Sequence, residues 1–195
     1  KADFAAMAAT IMVTLLIGVE PGVMAGVGLS LALFLWRASR PHAAIVGRVP
    51  ETEHFRNVKR HKVFTDPRIL TIRIDESLTY LNARWLEEFV LEEIAAHPKL
   101  KHLILMASAV NAIDASALES IEAINHRMAD AGVCLHLSEV KGPVMDALER
   151  GHFLHDLTGQ VWLSQHEAFE AVLEIANREE ETQTPADLWI ARGLI

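Results

Sequence analysis

Three groups of residues have the types and spacing to do chemistry. The first is Asn111-Ala112-Ile113-Asp114-Ala115-Ser116-Ala117, where an apolar run hands over to a helical pattern. With Asp114 or Ser116 at the helix start, free N–H groups and the positive end of the helix dipole meet there, which suits an anion or phosphate. The same residues also make an ordinary N-cap. The second is His152-Phe153-Leu154-His155, two imidazoles on one helical face. A metal site needs a third ligand and a supporting shell, and none is spaced for it, so the ten histidines read as scattered surface residues and no metal is expected. The third comprises Asp75, Glu76, Glu87, Glu88, Glu92 and Glu93, which could pair as acid and base. The four glutamates instead match a solvated helix face. No Gly-rich phosphate loop, nucleophile elbow or metalloprotease motif occurs, so neither an enzyme nor a cofactor is expected.

The elements that must hold these residues alternate. Lys62–Phe64 and Ile69–Ile74 are β-type runs around the turn Thr65-Asp66-Pro67-Arg68, which predicts an antiparallel pair. Leu86, Phe89, Val90 and Ile94 recur at helical spacing between Ala83 and His97. His102–Met106 is a central strand, and the helix after Asp114 carries Leu118, Ile121, Ile124 and Met128 on one face until Gly132 ends it. Val133–Leu137 is the next strand, holding the single cysteine, Cys134, in buried surroundings. Gly142-Pro143 opens a short helix over Val144, Ala147 and Leu148, and Val161–Leu163 is a last strand. Ser164-Gln165-His166-Glu167 has the capping-box pattern before Ala168, Ala171, Val172 and Ile175. The order specifies an α/β domain with parallel central strands and packed helices. The expected division is 1–36, a hydrophobic hairpin; 37–61, a connector; 62–178, the α/β domain; and 179–195, a tail without clear period. Within that tail Leu188, Trp189, Ile190, Leu194 and Ile195 form an apolar cluster expected to pack on the domain or on a partner subunit.

The hairpin makes the chain a protein of two solvents. Between Phe4 and Trp36 the only charged residue is Glu20, whereas charges recur every few positions from Arg37 onward. Gly18-Val19-Glu20-Pro21-Gly22 is expected to break the segment. The arms Phe4–Ile17 and Val23–Trp36 would each measure about 20 Å, short of the roughly 30 Å of a hydrocarbon core. Such half-spanning arms need other protein around them, because the break exposes backbone groups and Glu20 is costly in lipid. Gly22, Ala25, Gly26 and Gly28 would let helices approach closely. The alternative, a buried hairpin of a soluble protein, conflicts with the lack of a polar face on either arm. Arg37, Arg40 and Arg48 mark the cytoplasmic side of the exit. Lys1-Ala2-Asp3 lacks a signal-peptide pattern and reads as the start of a fragment. A net charge of −8 argues against a nucleic-acid partner.

Three stretches carry a family resemblance: Arg40-Pro41 through Gly47-Arg48-Val49-Pro50-Glu51-Thr52-Glu53, then Asn111 to Ala117, then Lys141-Gly142-Pro143-Val144. In this order beside a hydrophobic end, they resemble the SulP (solute carrier family 26) anion permeases, most of all their bacterial sulfate permease branch. The resemblance covers the chain to about Ala176. It implies a STAS-like fold with a mixed, centrally parallel sheet. It also implies the last transmembrane hairpin of a secondary-active, most often sulfate, transporter in the cell inner membrane, with a cytoplasmic STAS domain that regulates, stabilises or assembles it. The implied partners are the remaining transmembrane helices, the lipid bilayer, a second copy in a homodimer, and a cytoplasmic protein at the STAS surface. Substrate ligands would precede Lys1. In the related anti-sigma-factor antagonists the serine directly after the aspartate is phosphorylated, and here that position is Ala115. The Asp114 and Ser116 loop is then not a phosphoswitch of that type. Other readings are a membrane-tethered STAS signalling module without transport, a bicarbonate or dicarboxylate permease, and a nucleotide or acyl-carrier partner at the STAS surface.

Overall fold

The computed structural model describes the backbone of residues 2–191 and the side chains of 2–182. The chain forms two compact units, Lys1–Pro41 and His42–Ile195. The tail residues Leu188, Trp189, Ile190, Leu194 and Ile195 lie outside the described side chains.

The first unit is two helices, α1 (Ala2–Leu16) and α2 (Val19–Ala38). The break is narrower than the sequence predicts. It falls at Ile17-Gly18, where Gly18 has φ 131°, a conformation that a side chain would strain. Glu20, Pro21 and Gly22 lie in the first turn of α2, where proline removes no bond because first-turn N–H groups have no partner within the helix. The second arm is therefore 20 residues, about 30 Å, and is long and apolar enough to cross a membrane; α1, with 15 residues, is not. Two glycines set the seam. A Cβ on Gly22 would fall 1.9 Å from Thr14 Oγ1, and one on Gly26 would fall 3.0 Å from Thr10 Cγ2. Gly28, in contrast, faces open space. The Thr10 and Thr14 hydroxyls donate to carbonyls one turn back, at 2.9 and 2.8 Å, so both threonines at the seam are paired. Arg37 closes the open end of the hairpin with two bonds to the Asp3 carboxylate, at 2.6 and 2.7 Å.

The second unit is a six-stranded mixed sheet in the order β2-β1-β3-β4-β5-β6. Its strands are β1 (Ala43–Arg48), β2 (Phe55–Asn57), β3 (Ile69–Ile74), β4 (His102–Met106), β5 (Cys134–Ser138) and β6 (Val161–Trp162). β1 pairs antiparallel with both β2 and β3, and β3 to β6 run parallel. The expected connector is thus part of the sheet: β1 and β2 lie inside 37–61. Lys62–Phe64 is not a strand paired with β3 either, since Phe64 bridges Arg48 instead.

Alternation along the strands divides the core. Leu70, Ile72, Ile74, Leu103, Leu105, Leu135 and Leu137 pack under α3 (Ala83–Ala96), α4 (Ala115–Asp130), α5 (Gly142–Arg150) and α6 (Phe153–Asp156). Ala44, Val46, Phe55, Ile69 and Ile104 pack under Ala168, Phe169 and Val172 of α7 (Gln165–Ala191). The result is helices, sheet and one helix in three layers. The Ser164 hydroxyl caps α7 by accepting from the Glu167 N–H at 3.1 Å. This helix continues through the segment expected to be a tail. Residues 178–182 lack an apolar period because they are solvated, yet they are good helix formers with an Arg178–Glu174 pair one turn apart. Arg68 ties that stretch down, bonding Asp66, the Ala176 carbonyl at 3.1 Å, Asn177 at 2.7 Å and Glu180 at 2.6 Å.

Candidate functional site

Parallel strands direct their carboxyl ends to one edge of the sheet, where the loops after β3, β4 and β5 gather. Asp114 stands there as the N-cap of α4, with extended backbone (φ −93°, ψ 172°). Its Oδ1 accepts from the Ala117 N–H at 2.9 Å, and its Oδ2 accepts from the Tyr80 N–H at 2.8 Å. One carboxylate thereby caps a helix and anchors the loop after β3. The backbone adds to this staple: Leu78 N–H bonds Ala112 O at 3.0 Å, and Asp114 N–H bonds Leu78 O at 3.2 Å. Asn82 stiffens the same loop by accepting from Thr79 N–H at 2.9 Å and donating to Ser77 O at 3.0 Å. From the loop after β5, Lys141 Nζ donates to Asn111 Oδ1 at 2.7 Å.

The negative charge favoured at the start of α4 is therefore supplied by the chain itself. An incoming anion would meet the Asp114 carboxylate. Ala115 and Ser116 are exposed on the first turn beside it, as are Asn111 and Lys141. The arrangement suits a rigid, solvent-facing contact surface better than an enclosed ligand pocket.

A second polar group was not foreseen. His102 and His136 were expected among scattered surface histidines, but they are 2% and 3% exposed, side by side on the sheet face under α7. The Gln160 N–H donates to His136 Nδ1 at 3.2 Å, so the His136 proton sits on Nε2. That nitrogen lies 3.3 Å from His102 Nδ1, which leaves the His102 proton on Nε2, 3.5 Å from Glu179 of α7. Burial, with a smaller contribution from the His102 charge, pushes His136 down to about 4. Burial likewise lowers His102, although Glu179 opposes the shift. Burial also raises the half-buried Cys134 thiol, which makes it a poor nucleophile. Ser138 completes this face, donating to Gln165 Oε1 at 2.6 Å. The alternation of His102 with Ile104, and of His136 with Ser138, was the available signal. On the other face buried Asn125 donates to Asp156 O at 2.7 Å and accepts from the Thr158 N–H and hydroxyl, at 3.1 and 2.9 Å.

His152 and His155 lie with ring centroids 6.3 Å apart. Among the described residues no group of three or more His, Cys, Asp or Glu could hold a metal ion. Asp75 pairs with Arg73 at 2.6 Å and with His42 at 2.6 Å. Burial alone would raise its carboxyl, but these two partners outweigh burial and hold it below the usual carboxylate range. Glu88 pairs with Arg84, and Glu87 pairs with Arg127.

A family model described as the STAS domain matches residues 62–168, over half of the chain. The chain belongs to the STAS domain family. Its relatives include the probable sulfate transporter 4.2 of Arabidopsis thaliana, 30% identical over 210 residues, covering 100% of this chain and 31% of that protein. Sulfate transporter 1.3 of the same plant is 31% identical over 183 residues, covering 88% and 28%. The chain thus spans about a third or less of the length of these curated relatives. The structure of the murine Solute Carrier 26 family member A9 anion transporter, in its inward-facing state, is similar with a TM-score of 0.78 at 17% identity, over 89% of this chain and 29% of that one. A sulfate transporter family protein from Wolinella succinogenes has a TM-score of 0.51 at 19% identity, over 60% of this chain and 93% of its own. At these identities both structures attest the fold. The relatives agree with the SulP resemblance, and the STAS fold with its mixed sheet is the expected one.

Proposed function

We propose that this chain is the C-terminal part of a secondary-active anion permease, sulfate being the favoured substrate, with a cytoplasmic STAS domain that regulates, stabilises or assembles it. The observation that carries the reading is continuity: apolar hairpin and STAS domain align together, over the whole chain, with a protein named as a sulfate transporter. The basic residues Arg37 and Arg40 at the end of α2 support a cytoplasmic position for the domain. The first helix, at about 22 Å, is short for a crossing, which supports packing of the hairpin against further transmembrane helices. Assembly as a homodimer in a bacterial inner membrane, and a role without enzymatic chemistry, belong to the same reading.

Within it the edge formed by Asn111, Asp114, Ser116 and Lys141 serves as the regulatory contact surface. With both Asp114 oxygens occupied and alanine at position 115, that surface acts through contacts rather than through phosphorylation. The reading is tested by the coding sequence upstream of Lys1. About ten further hydrophobic spans of roughly 20 residues are expected there. Their absence would favour a membrane-tethered STAS module without transport.

A further inference from the structure

The strongest concentration of positive charge in the chain runs from β2 into the turn that follows it. Arg56, Lys59, Arg60 and Lys62, with His61 among them, fall within seven positions of a protein whose net charge is −8, and all five residues are exposed. Among the described residues none of them has an acidic partner within ion-pair distance, whereas Arg37, Arg48, Arg68, Arg73, Arg84, Arg127 and Arg178 each do. The turn is nonetheless well defined. It winds around Asn57, whose Oδ1 accepts from Lys59 N–H at 2.8 Å and whose carbonyl accepts from the N–H groups of Arg60 and His61 at 3.0 and 3.1 Å.

The register of β1 and β2 says where that charge sits. The pairs run Arg48↔Phe55, Gly47↔Arg56 and Val46↔Asn57, and Val58 N–H continues the ladder onto Ile45 O. The basic turn therefore leaves the hairpin toward the end at which β1 begins. The two glutamates of the hairpin, Glu51 and Glu53, occupy the connection at its opposite end. The acidic residue at the near end, Asp75, is already paired with Arg73 and His42. In the sequence only Ser39, Arg40, Pro41 and His42 separate Ala38, the last residue of α2, from Ala43, the first of β1. At that end of α2 the Arg40 guanidinium lies 4.6 Å from the centre of the Trp36 ring, an aromatic–basic pair suited to a headgroup level.

We infer that the segment Arg56–Lys62, the end of β2 and the turn after it, is a lipid-binding element that holds this end of the STAS domain against anionic headgroups. The inference rests on the membrane reading of the hairpin. Basic clusters close to a membrane exit are drawn to an anionic leaflet, and the attraction fades within a Debye length, so a short tether is what makes it effective. The polarity of the β1–β2 hairpin, cationic at the end where β1 begins and anionic at the other, would orient the domain in that field. A solvated charge run requires no such segregation.

The test uses the whole chain in lipid nanodiscs, one copy per disc, with a fluorophore on His61→Cys in a Cys134→Ser background. The discs contain either phosphatidylcholine alone or phosphatidylcholine with about one-third phosphatidylglycerol, an anionic surface. Quenching by a nitroxide on the lipid headgroup should be several-fold stronger in the anionic discs and fall to the neutral level at high salt. Combining Lys59→Gln, Arg60→Gln and Lys62→Gln should lower partition of the turn to the surface by up to about a hundredfold, with an unchanged circular dichroism spectrum. Equal quenching in both lipids, or quenching unaffected by the triple variant, overturns the inference while leaving the membrane reading intact. Quenching that changes only when a second copy or an acidic protein is added assigns the turn to a protein partner and also overturns it. A chain that enters neither disc overturns the membrane reading, and this inference with it.

Discussion

Acid should destabilise the STAS domain well above the range in which its carboxylates titrate, because of the buried histidine pair. An unfolded histidine titrates near 6.5, whereas His136 in the fold is pushed down to about 4. Between these values the unfolded chain binds the proton and the folded one does not, so stability rises with pH across the window. The contribution is complete above about pH 6.5 and is lost as pH falls toward 4. A difference of about 2.5 units corresponds to ~3 kcal/mol. His102 acts in the same direction, its burial opposed by Glu179 and augmented by Arg68 and Lys101. Asp66 and Asp75 work in a separate, lower window: their carboxyls are held below the ordinary value, and their stabilisation is lost only as pH falls below about 4. Urea unfolding of the chain in detergent, followed by near-ultraviolet circular dichroism from pH 7.5 down to about 4, measures the slope. His136→Gln keeps an acceptor for the Gln160 N–H and removes the titration, so more than half of that slope should disappear. A wild-type stability that stays flat between about pH 6.5 and 4, or a slope unchanged in the variant, would refute the reasoning.

Other substitutions probe the remaining contacts. Asp114→Ala removes both the α4 cap and the tie to Tyr80, and should cost about 1–2 kcal/mol; at about 2–4 °C per kcal/mol for a domain of this size, calorimetry resolves it, and Asp114→Asn should lose less. Asn125→Leu leaves the Thr158 N–H and Asp156 carbonyl without their partner and should cost about 2–3 kcal/mol in the same assay. Gly22→Val places a side chain where Thr14 already lies, so the hairpin should separate. Cysteine crosslinking between positions 10 and 26 should then drop several-fold, whereas Gly28→Ala, facing open space, should leave it unchanged.

What was legible in the sequence were the elements whose periodicity coincides with their burial. The run His102–Met106, the Leu86/Val90 face and the Ser164 capping box each gave their element, because one-sided packing and a cap leave a pattern in residue type. β1 escaped because Ala43-Ala44-Ile45-Val46-Gly47-Arg48 is short, lies among Arg, His and Pro, and is made a strand by pairing on both sides. The antiparallel partner of β3 was consequently assigned to Lys62–Phe64, some twenty residues too late. The far end of α7 escaped for a different reason: beyond Ala176 the described ties to the domain are polar, through Arg68 and Glu179, and such ties need no apolar stripe. At the candidate site the Asp114 cap could be read from the Asp-x-Ser pattern. The second hydrogen bond of its carboxylate, to Tyr80 across 34 residues, could not, and it is this bond that ties the loop after β3 to the start of α4.

The proposal that this STAS domain and hairpin belong to an anion permease is tested most directly by flux. The full-length protein encoded around this chain, reconstituted in vesicles, should take up labelled sulfate above protein-free controls. A version ending at Pro41 should show reduced uptake or reduced amounts of folded protein. Intact, inserted protein that moves neither sulfate nor bicarbonate nor dicarboxylates would contradict the account.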